Sequence, residues 1–307
     1  MLKKITVICP VYNEEENIDY LIKKFLNLHE KIKKKYNIRF LFIDDGSVDN
    51  TKKLIEKYSL YKKHIRVLSF TKNFGYSNAI CAGLENSRSD FYVCIDGDLQ
   101  KNPNLIIKML SEIETKKYDV IHMCNKRTNY ESFLKKKIST LFYFLFRKIT
   151  GINLKKGAND FWLITKTVRD EIISNKFSTY FIRGFFKYYN FRTKFIEYEL
   201  IKRNKGKSKF NIFKQLELGL TGIFLYFKNI YLIIFVSSFV LFLLLIFYLI
   251  FQIYNYFTGN TAQGWTSIIS LVTILGIAQL FLNSILLFLS HKILSIVGNN
   301  PKYILKK

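Results

Sequence analysis

Charge is missing from one long stretch of this chain. Between Asn229 and Ser290 there is no lysine, arginine, aspartate or glutamate. A helix that crosses a bilayer needs about 20 consecutive apolar residues, so this stretch has room for two and a short link. The pattern puts a first span at Ile230–Tyr254 and a second at Ser267–Leu289. The polar Asn255–Trp265 joins them, with Gly259 and Gly264 as helix breakers. A buried hairpin of a soluble protein is the plainer explanation, but two adjacent apolar runs of this length argue against it. Proline is scarce at three residues and glycine modest at 14, which excludes a collagen-like or loop-dominated chain. The four cysteines, Cys9, Cys81, Cys94 and Cys124, are widely spaced and form no Cys-x-x-Cys pair. That excludes a disulfide framework and a cysteine zinc site, and it fits a reducing compartment. Neither Gly-x-Gly-x-x-Gly nor Gly-x-x-x-x-Gly-Lys-Ser/Thr occurs, which argues against a Rossmann dehydrogenase and a P-loop NTPase.

Acidic residues are also in the minority, with 23 Asp and Glu against 48 Lys and Arg, a formal net charge of +25. Nucleic-acid binding, attraction to an anionic membrane and a plain lysine-rich coding bias compete to explain this. Lysines stand nearly everywhere outside the uncharged stretch, which favours bias for much of the excess. The aromatics sit in spans and helices rather than among strand-borne basic residues, so no nucleic-acid partner is expected. The uncharged link lies between a basic N-terminal part and the tail lysines Lys292, Lys302, Lys306 and Lys307. The positive-inside rule then puts both termini in the cytoplasm. The opening run Ile5–Cys9 is strand-like and is not the pattern of a signal peptide.

With 307 residues, 49% of them hydrophobic and 17% aromatic, the chain is long and apolar enough for about two domains. Over residues 1–125, apolar runs recur at Ile5–Pro10, Arg39–Ile43, Ile65–Phe70, Phe91–Ile95 and Val120–Met123. Helical stretches such as Ile18–Ile32 and Leu105–Ile113 separate them. Strands alternating with helices predict an α/β fold with a doubly wound, mostly parallel sheet. Ligands of such sheets sit beyond the carboxyl ends of the strands. Polar residues collect there four times: Pro10–Glu16, Asp44–Ser47, Thr71–Gly75 and Asp96–Gln100. Residues 126–228 are rich in lysine and aromatics. Phe133–Ile149 and Ile212–Phe227 read as basic amphipathic helices of the kind that lie at a membrane interface. The expected organisation is a nucleotide-binding half at 1–125, an acceptor half at 126–228, a transmembrane hairpin at 229–290 and a cytoplasmic tail at 291–307.

Asp96-Gly97-Asp98 is the sharpest motif. Two carboxylates at the end of a buried strand are costly unless a cation or hydrogen-bond donors compensate them. A hard divalent cation takes oxygen ligands and shares them with a diphosphate, and Gln100 adds a neutral oxygen. Asp44-Asp45-Gly46-Ser47 leaves its strand through a turn. Asp44 is placed to accept from a base N–H or a ribose hydroxyl, and helix capping by Ser47 or Asp49 is the plainer use of this segment.

Taken together, Pro10-Val11-Tyr12-Asn13-Glu14-Glu15, Asp44–Asp49, Asn73-Phe74-Gly75 with Ala82-Gly83-Leu84, and Asp96-Gly97-Asp98-Leu99-Gln100 resemble glycosyltransferase family 2. The Asn-Phe-Gly segment and the Asp-x-Asp-x-Gln form are similar to its polyprenyl-phosphate branch. So are Asp160-Phe161 with Leu163, Arg183-Gly184, Arg203 with Gly206–Phe210, and the two C-terminal spans. Trp162 stands where that branch usually has arginine. Cys124–Arg127 holds one arginine where the branch often shows two. No Gln-x-x-Arg-Trp occurs, unlike a processive polysaccharide synthase.

The resemblance implies a GT-A-type fold and inverting transfer from a nucleotide sugar to a lipid phosphate. It implies that Pro10, Tyr12, Asn13, Glu14, Asp44 and Asp96 bind the nucleotide sugar. Asp96, Asp98 and Gln100 would hold Mg²⁺ or Mn²⁺. Asp98 and Asp160 are the catalytic candidates, Asp160 as a base or as an orienter of acceptor or sugar hydroxyls. Arg127, Lys135, Ser139, Arg203, Ser208 and Lys209 would meet the acceptor phosphate. The donor expected from the subgroup is UDP-glucose and the acceptor undecaprenyl phosphate, at a bacterial inner membrane. GDP-mannose or a UDP-amino-sugar is the near alternative. A non-catalytic module that binds nucleotide sugar or lipid is the alternative of another class. The resemblance also implies a homo-oligomer packed through the spans or the tail.

Overall fold

The structure, a computed structural model, describes residues 2–126, 133–174, 182–199, 230–259, 262, 264–297 and 305–306. They fall into two compact units, one of Met1–Tyr226 with Pro301–Lys307 and one of Phe227–Asn300. In the first unit the strands are β1 (Lys3–Val11), β2 (Tyr36–Asp44), β3 (Ile65–Ser69), β4 (Phe91–Cys94), β5 (Val120–Asn125), β6 (Ala158–Thr165) and β7 (Thr193–Tyr198). The helices are α1 (Glu15–Ile32), α2 (Thr51–Tyr61), α3 (Tyr76–Glu85), α4 (Leu105–Ile113), α5 (Phe133–Thr150), α6 (Lys166–Ser174) and α7 (Ile182–Tyr188).

These seven strands form one sheet in the order β3-β2-β1-β4-β6-β5-β7. β1 pairs in parallel with β2 and β4, β2 with β3, and β5 with β7. The expected doubly wound, mostly parallel sheet is present, and its first five strands lie where the apolar runs put them. Parallel strands covered on both faces read as continuous apolar runs, and β1 is buried without interruption from Ile5 to Val11. Its side chains alternate between two cores. Ile5, Val7, Cys9 and Val11 join Phe25 of α1 and Leu110 of α4 on one face. Ile8 joins Ala79 of α3, Trp162 of β6 and Phe186 of α7 on the other. α1 buries Ile18, Leu21, Ile22, Phe25, Leu28 and Ile32, the stripe expected of a surface helix.

β6 is the departure. It runs antiparallel between β4 and β5, where the sequence reading had no strand. Phe161-Trp162-Leu163-Ile164 is buried on both faces, so it carries no alternation from which a strand could be told from a helix. At the outer edge of β3, Phe70 forms an antiparallel bridge with Leu305, and the Lys306 N–H donates to the Ser69 carbonyl at 2.8 Å. The tail thereby covers part of an exposed strand edge.

The second unit holds α8 (Ile230–Phe257) and α9 (Trp265–Val297). Val236–Phe257 and Trp265–Leu287 are each long and apolar enough to cross a membrane. Leu244, Phe247, Leu271 and Val272 are each more than half exposed, the opposite of a soluble core hairpin. α8 runs through Tyr256 and Phe257, so the link is shorter than the predicted Asn255–Trp265.

One pair in the first unit makes its stability depend on pH. His29 of α1 and His64 ahead of β3 stack with centroids 4.2 Å apart and planes within 3°. His29 Nδ1 and His64 Nε2 are buried with no partner among the described residues. Burial, then the neighbouring His29 and Lys62, pulls the His64 pKa below its ordinary value. A histidine held neutral in the fold contributes stability that is present above its unfolded pKa of about 6.5 and is lost as pH falls through its folded value. The melting temperature should therefore drop between pH 7.5 and 5.5, and His64→Asn should flatten that drop. Equal drops in both proteins would exclude this pair as the cause.

Candidate active site

The carboxyl ends of β1, β2 and β4 meet at one edge of the sheet, and short polar loops leave all three. Pro10 is buried within β1, in register with Ile43. Tyr12, Asn13 and Glu14 form the partly exposed turn into α1. Asn13 has a φ of 50°, a left-handed conformation that asparagine tolerates. It bonds the neighbouring loop reciprocally. Its N–H donates to Ser47 Oγ at 2.9 Å, and its Oδ1 accepts from the Val48 N–H at 2.9 Å. The Glu14 N–H donates to Thr51 Oγ1 at 2.8 Å, and the Glu15 N–H to Asp49 Oδ2 at 3.2 Å. Ser47 therefore ties α2's loop to α1's start instead of capping α2. Asn50 is the residue before that helix, while Asp49 Oδ1 accepts from the Thr51 N–H at 3.0 Å.

Asp44 ends β2 almost fully buried, and its Oδ1 accepts from the Ser47 N–H at 3.0 Å. Asp45, which the sequence reading passed over, accepts from the Phe74 N–H at 2.7 Å and the Gly75 N–H at 3.0 Å. Burial raises its pKa to about 6 against those two bonds, which lower it. Asp45 is thus the clamp that fixes the Asn73-Phe74-Gly75 loop to the Asp44–Ser47 turn.

The segment after β4 carries Asp96, Asp98 and Gln100. The Gln100 N–H donates to Asp98 Oδ1 at 3.2 Å, folding the segment back on itself. Leu99 takes a φ of 62° in that turn, a strained conformation of the sort that clusters at functional sites. Asp96 Oδ1 accepts from the Tyr76 hydroxyl at 2.5 Å, and Asp96 Oδ2 is paired with the Lys101 ammonium. Burial and then Asp96 hold the Tyr76 pKa well above its usual value, so the hydroxyl stays a donor. Burial works against the Lys101 charge, but Asp96, Tyr198 and Asp160 together outweigh it and the pKa is raised.

β6 brings a further carboxylate, Asp160. The antiparallel pairing of β4 with β6 ends at Cys94↔Trp162, two residues before Asp96 on one strand and two after Asp160 on the other, and Tyr76, Cys94 and Lys101 each feel both carboxylates. Two buried thiols sense the cluster. Burial raises the Cys9 pKa first, then Asp96, Asp98 and Glu14 raise it further while Lys101 lowers it. Burial raises that of Cys94, then Asp96 and Asp160. Glu14, Asp96, Asp98, Asp160 and Lys101 therefore share one neighbourhood. Trp162 lies on the same face of β6 as Asp160 but inside the second core, against Phe186 at 5.6 Å. Its place is a packing position, and its Nε1 has no partner among the described residues.

Of the expected acceptor-phosphate residues, Lys135 and Ser139 belong to α5, and their side chains lie outside what is described. Arg127, Arg203, Ser208 and Lys209 lie outside the described residues altogether. The site residues missed in the sequence are Tyr76, Lys101 and Asp45. Tyr76 and Lys101 carry no motif and reach Asp96 only through the fold. Asp45 stood inside a motif and signalled itself only as Asp44's neighbour.

Chemically, the 96–100 segment offers carboxylate and amide oxygens and no nitrogen or sulfur ligand. That set suits a hard, oxygen-seeking cation. No group of three His, Cys, Asp or Glu residues able to hold a metal occurs among the described residues. A cation here would complete its shell with a ligand's oxygens or water, as Mg²⁺ commonly does with substrate phosphates.

The model of the family described as glycosyl transferase family 2 matches residues 6–174. The chain is 32% identical to the SfII prophage-derived bactoprenol glucosyl transferase of Shigella flexneri, over 99% of this chain and 98% of that one. It is 29% identical to the uncharacterized glycosyltransferase YkcC of Bacillus subtilis, over 98% and 93%. Among solved structures, the mannosyl-3-phosphoglycerate synthase of Rubrobacter xylanophilus superposes with a TM-score of 0.50 at 13% identity, covering 73% of this chain and 72% of that one. The last is a likeness of fold.

Proposed function

Because this chain belongs to glycosyl transferase family 2, we propose that it is a GT-A enzyme that moves glucose from UDP-glucose to a polyprenyl phosphate at a membrane. One observation carries the acceptor and the sugar: near-complete alignment at 32% identity with a relative named for bactoprenol glucosyl transfer. The two apolar helices agree with a lipid acceptor. The lysine asymmetry around them supports a cytoplasmic site and cytoplasmic termini in a bacterial inner membrane.

On this reading the loops divide the work. Pro10, Tyr12, Asn13, Glu14 and Asp44 line the nucleoside side, with Asp45 holding their partner loop. Asp96, Asp98 and Gln100 face the donor diphosphate. Mg²⁺ or Mn²⁺ held there would supply Lewis-acid neutralisation of the leaving group. The acceptor needs little help to become nucleophilic. A phosphate monoester has its second pKa near ~6, so it is already mostly dianionic at neutral pH. The task is to bring one anion up to another. Lys135, Ser139, Arg127, Arg203, Ser208 and Lys209 are the residues for it. Asp160, in the neighbourhood of Asp96, orients the hydroxyls of acceptor or sugar.

A donor screen tests this. Full-length protein in detergent is given undecaprenyl phosphate, Mg²⁺ or Mn²⁺, and UDP-glucose, UDP-N-acetylglucosamine or GDP-mannose in turn. Lipid-dependent release of UDP with a glucosylated lipid product, from UDP-glucose alone, is the expected result. Release from GDP-mannose would replace the donor. No release from any donor by folded protein would overturn the enzymatic reading.

A further inference from the structure

Lys101 is a charged side chain buried beneath the donor loop, only 3% exposed, while its partner Asp96 is 30% exposed. A buried ammonium is tolerated when paired closely, and this one is held on two sides. Asp96 Oδ2 meets it directly, and the Phe161 ring lies 5.9 Å away, a distance at which a cation is attracted to the ring face. Tyr76 takes Asp96's other oxygen at 2.5 Å. Each Asp96 oxygen thus already faces a proton donor, and any cation bound through Asp96 would face the Lys101 charge at close range. Asp98, two residues on, has the Gln100 N–H on Oδ1 at 3.2 Å.

Resting on the donor-site reading above, we propose that Lys101 is a resident cation of the donor site, a positioning residue that keeps Asp96 out of the divalent cation's coordination and leaves Asp98 as the carboxylate that binds it. The pair of carboxylates then presents about one net negative charge to the incoming metal and diphosphate instead of two. Asp96 becomes a fixed oxygen backed by Tyr76 and Lys101, suited to accepting from a donor hydroxyl.

The test is Mn²⁺ binding, read as loss of the free-ion EPR signal, with full-length protein in detergent, with and without UDP. Asp98→Asn, which removes a ligand as well as a charge, should weaken Mn²⁺ binding more than about a hundredfold, and Asp96→Asn, which removes only a nearby charge, by about tenfold. Lys101→Gln should tighten it about tenfold, the effect of removing one like charge a few ångström away at intermediate dielectric. Lys101→Arg should behave as wild type. A merely structural lysine would give the opposite sign, because a disturbed loop binds metal less well. Equal losses in Asp96→Asn and Asp98→Asn would overturn the proposal. So would unchanged or weaker binding in a folded Lys101→Gln. If Lys101→Gln does not fold, the comparison of the two aspartate variants decides alone. Wild type that binds neither UDP nor Mn²⁺ would remove the donor-site reading itself. Wild type that binds both, with the aspartates equivalent, would remove only the role given to Lys101.

Discussion

Asp98→Ala is expected to lower kcat/KM by on the order of 10³-fold while leaving the protein folded. A metal ion at a departing diphosphate stabilises the transition state by several kcal/mol, and each ~1.4 kcal/mol is a factor of ten in rate. The carboxylate that binds such an ion carries most of that term. The structure explains why folding should survive. Asp98 is partly exposed, and among its bonds the one from the Gln100 N–H, at 3.2 Å, is long. The measurement is UDP release with saturating lipid acceptor, beside a melting curve and UDP binding. Excess Mn²⁺ should restore only the part of the loss that comes from weaker binding. Activity within tenfold of wild type would mean that the 96–98 segment is not the metal site. A melting point several degrees lower would assign the loss to folding instead.

Much of the donor half was legible in the sequence for a simple reason. β1, the second half of β2 and β4 are parallel strands buried on both faces, so each appears as an unbroken apolar run, the edge strand β3 keeps one exposed Arg66, and each loop after them is a polar break. The two long apolar helices were legible because nothing charged interrupts them. The organisation around Asp160 was less so. An antiparallel strand at the middle of the sheet brings its beginning, not its end, to the active edge, and the rule of looking after each strand misses it. Asp160 entered through a family resemblance, and β6 carries it into the neighbourhood of Asp96. Trp162 shows the converse. It stood out as a departure in a motif, yet its ring faces Phe186 in the core, a place that side-chain alternation along an entirely apolar strand does not reveal. Tyr76 and Lys101 were invisible because they act at a distance of twenty and five residues from Asp96. No local pattern requires either.

Gly46→Ala is expected to be the most damaging single-carbon change in the donor site, at about 3 kcal/mol. Gly46 has a φ of 73°, and a Cβ there would lie 2.4 Å from the Lys72 carbonyl carbon, 2.7 Å from its oxygen and 2.8 Å from the Asn73 nitrogen. All three atoms are backbone, so no flexible side chain can swing aside. Overpacking of this kind costs about 1–3 kcal/mol, and a left-handed non-glycine residue adds about 1–2. The damage should also be functional. Pushing residues 72–75 away from the Asp44–Ser47 turn breaks Asp45's bonds to the Phe74 and Gly75 N–H groups. A buried carboxylate without those donors is costly, and the loop that faces the nucleoside side loses its anchor. Gly75→Ala is the control. Gly75 also has a left-handed φ, 95°, but a Cβ there meets nothing within 4 Å. Its φ of 95° with ψ of 154° is a region essentially reserved to glycine, so it should suffer the backbone cost alone, about 1–3 kcal/mol, and keep UDP affinity within a few-fold. UDP binding and thermal melts on both variants separate the two causes. A Gly46→Ala loss of UDP affinity above tenfold, with Gly75→Ala near wild type, would tie the two loops together as one donor-binding device. Equal behaviour of the two would mean that backbone conformation, and not the close approach of the loops, is what these glycines provide.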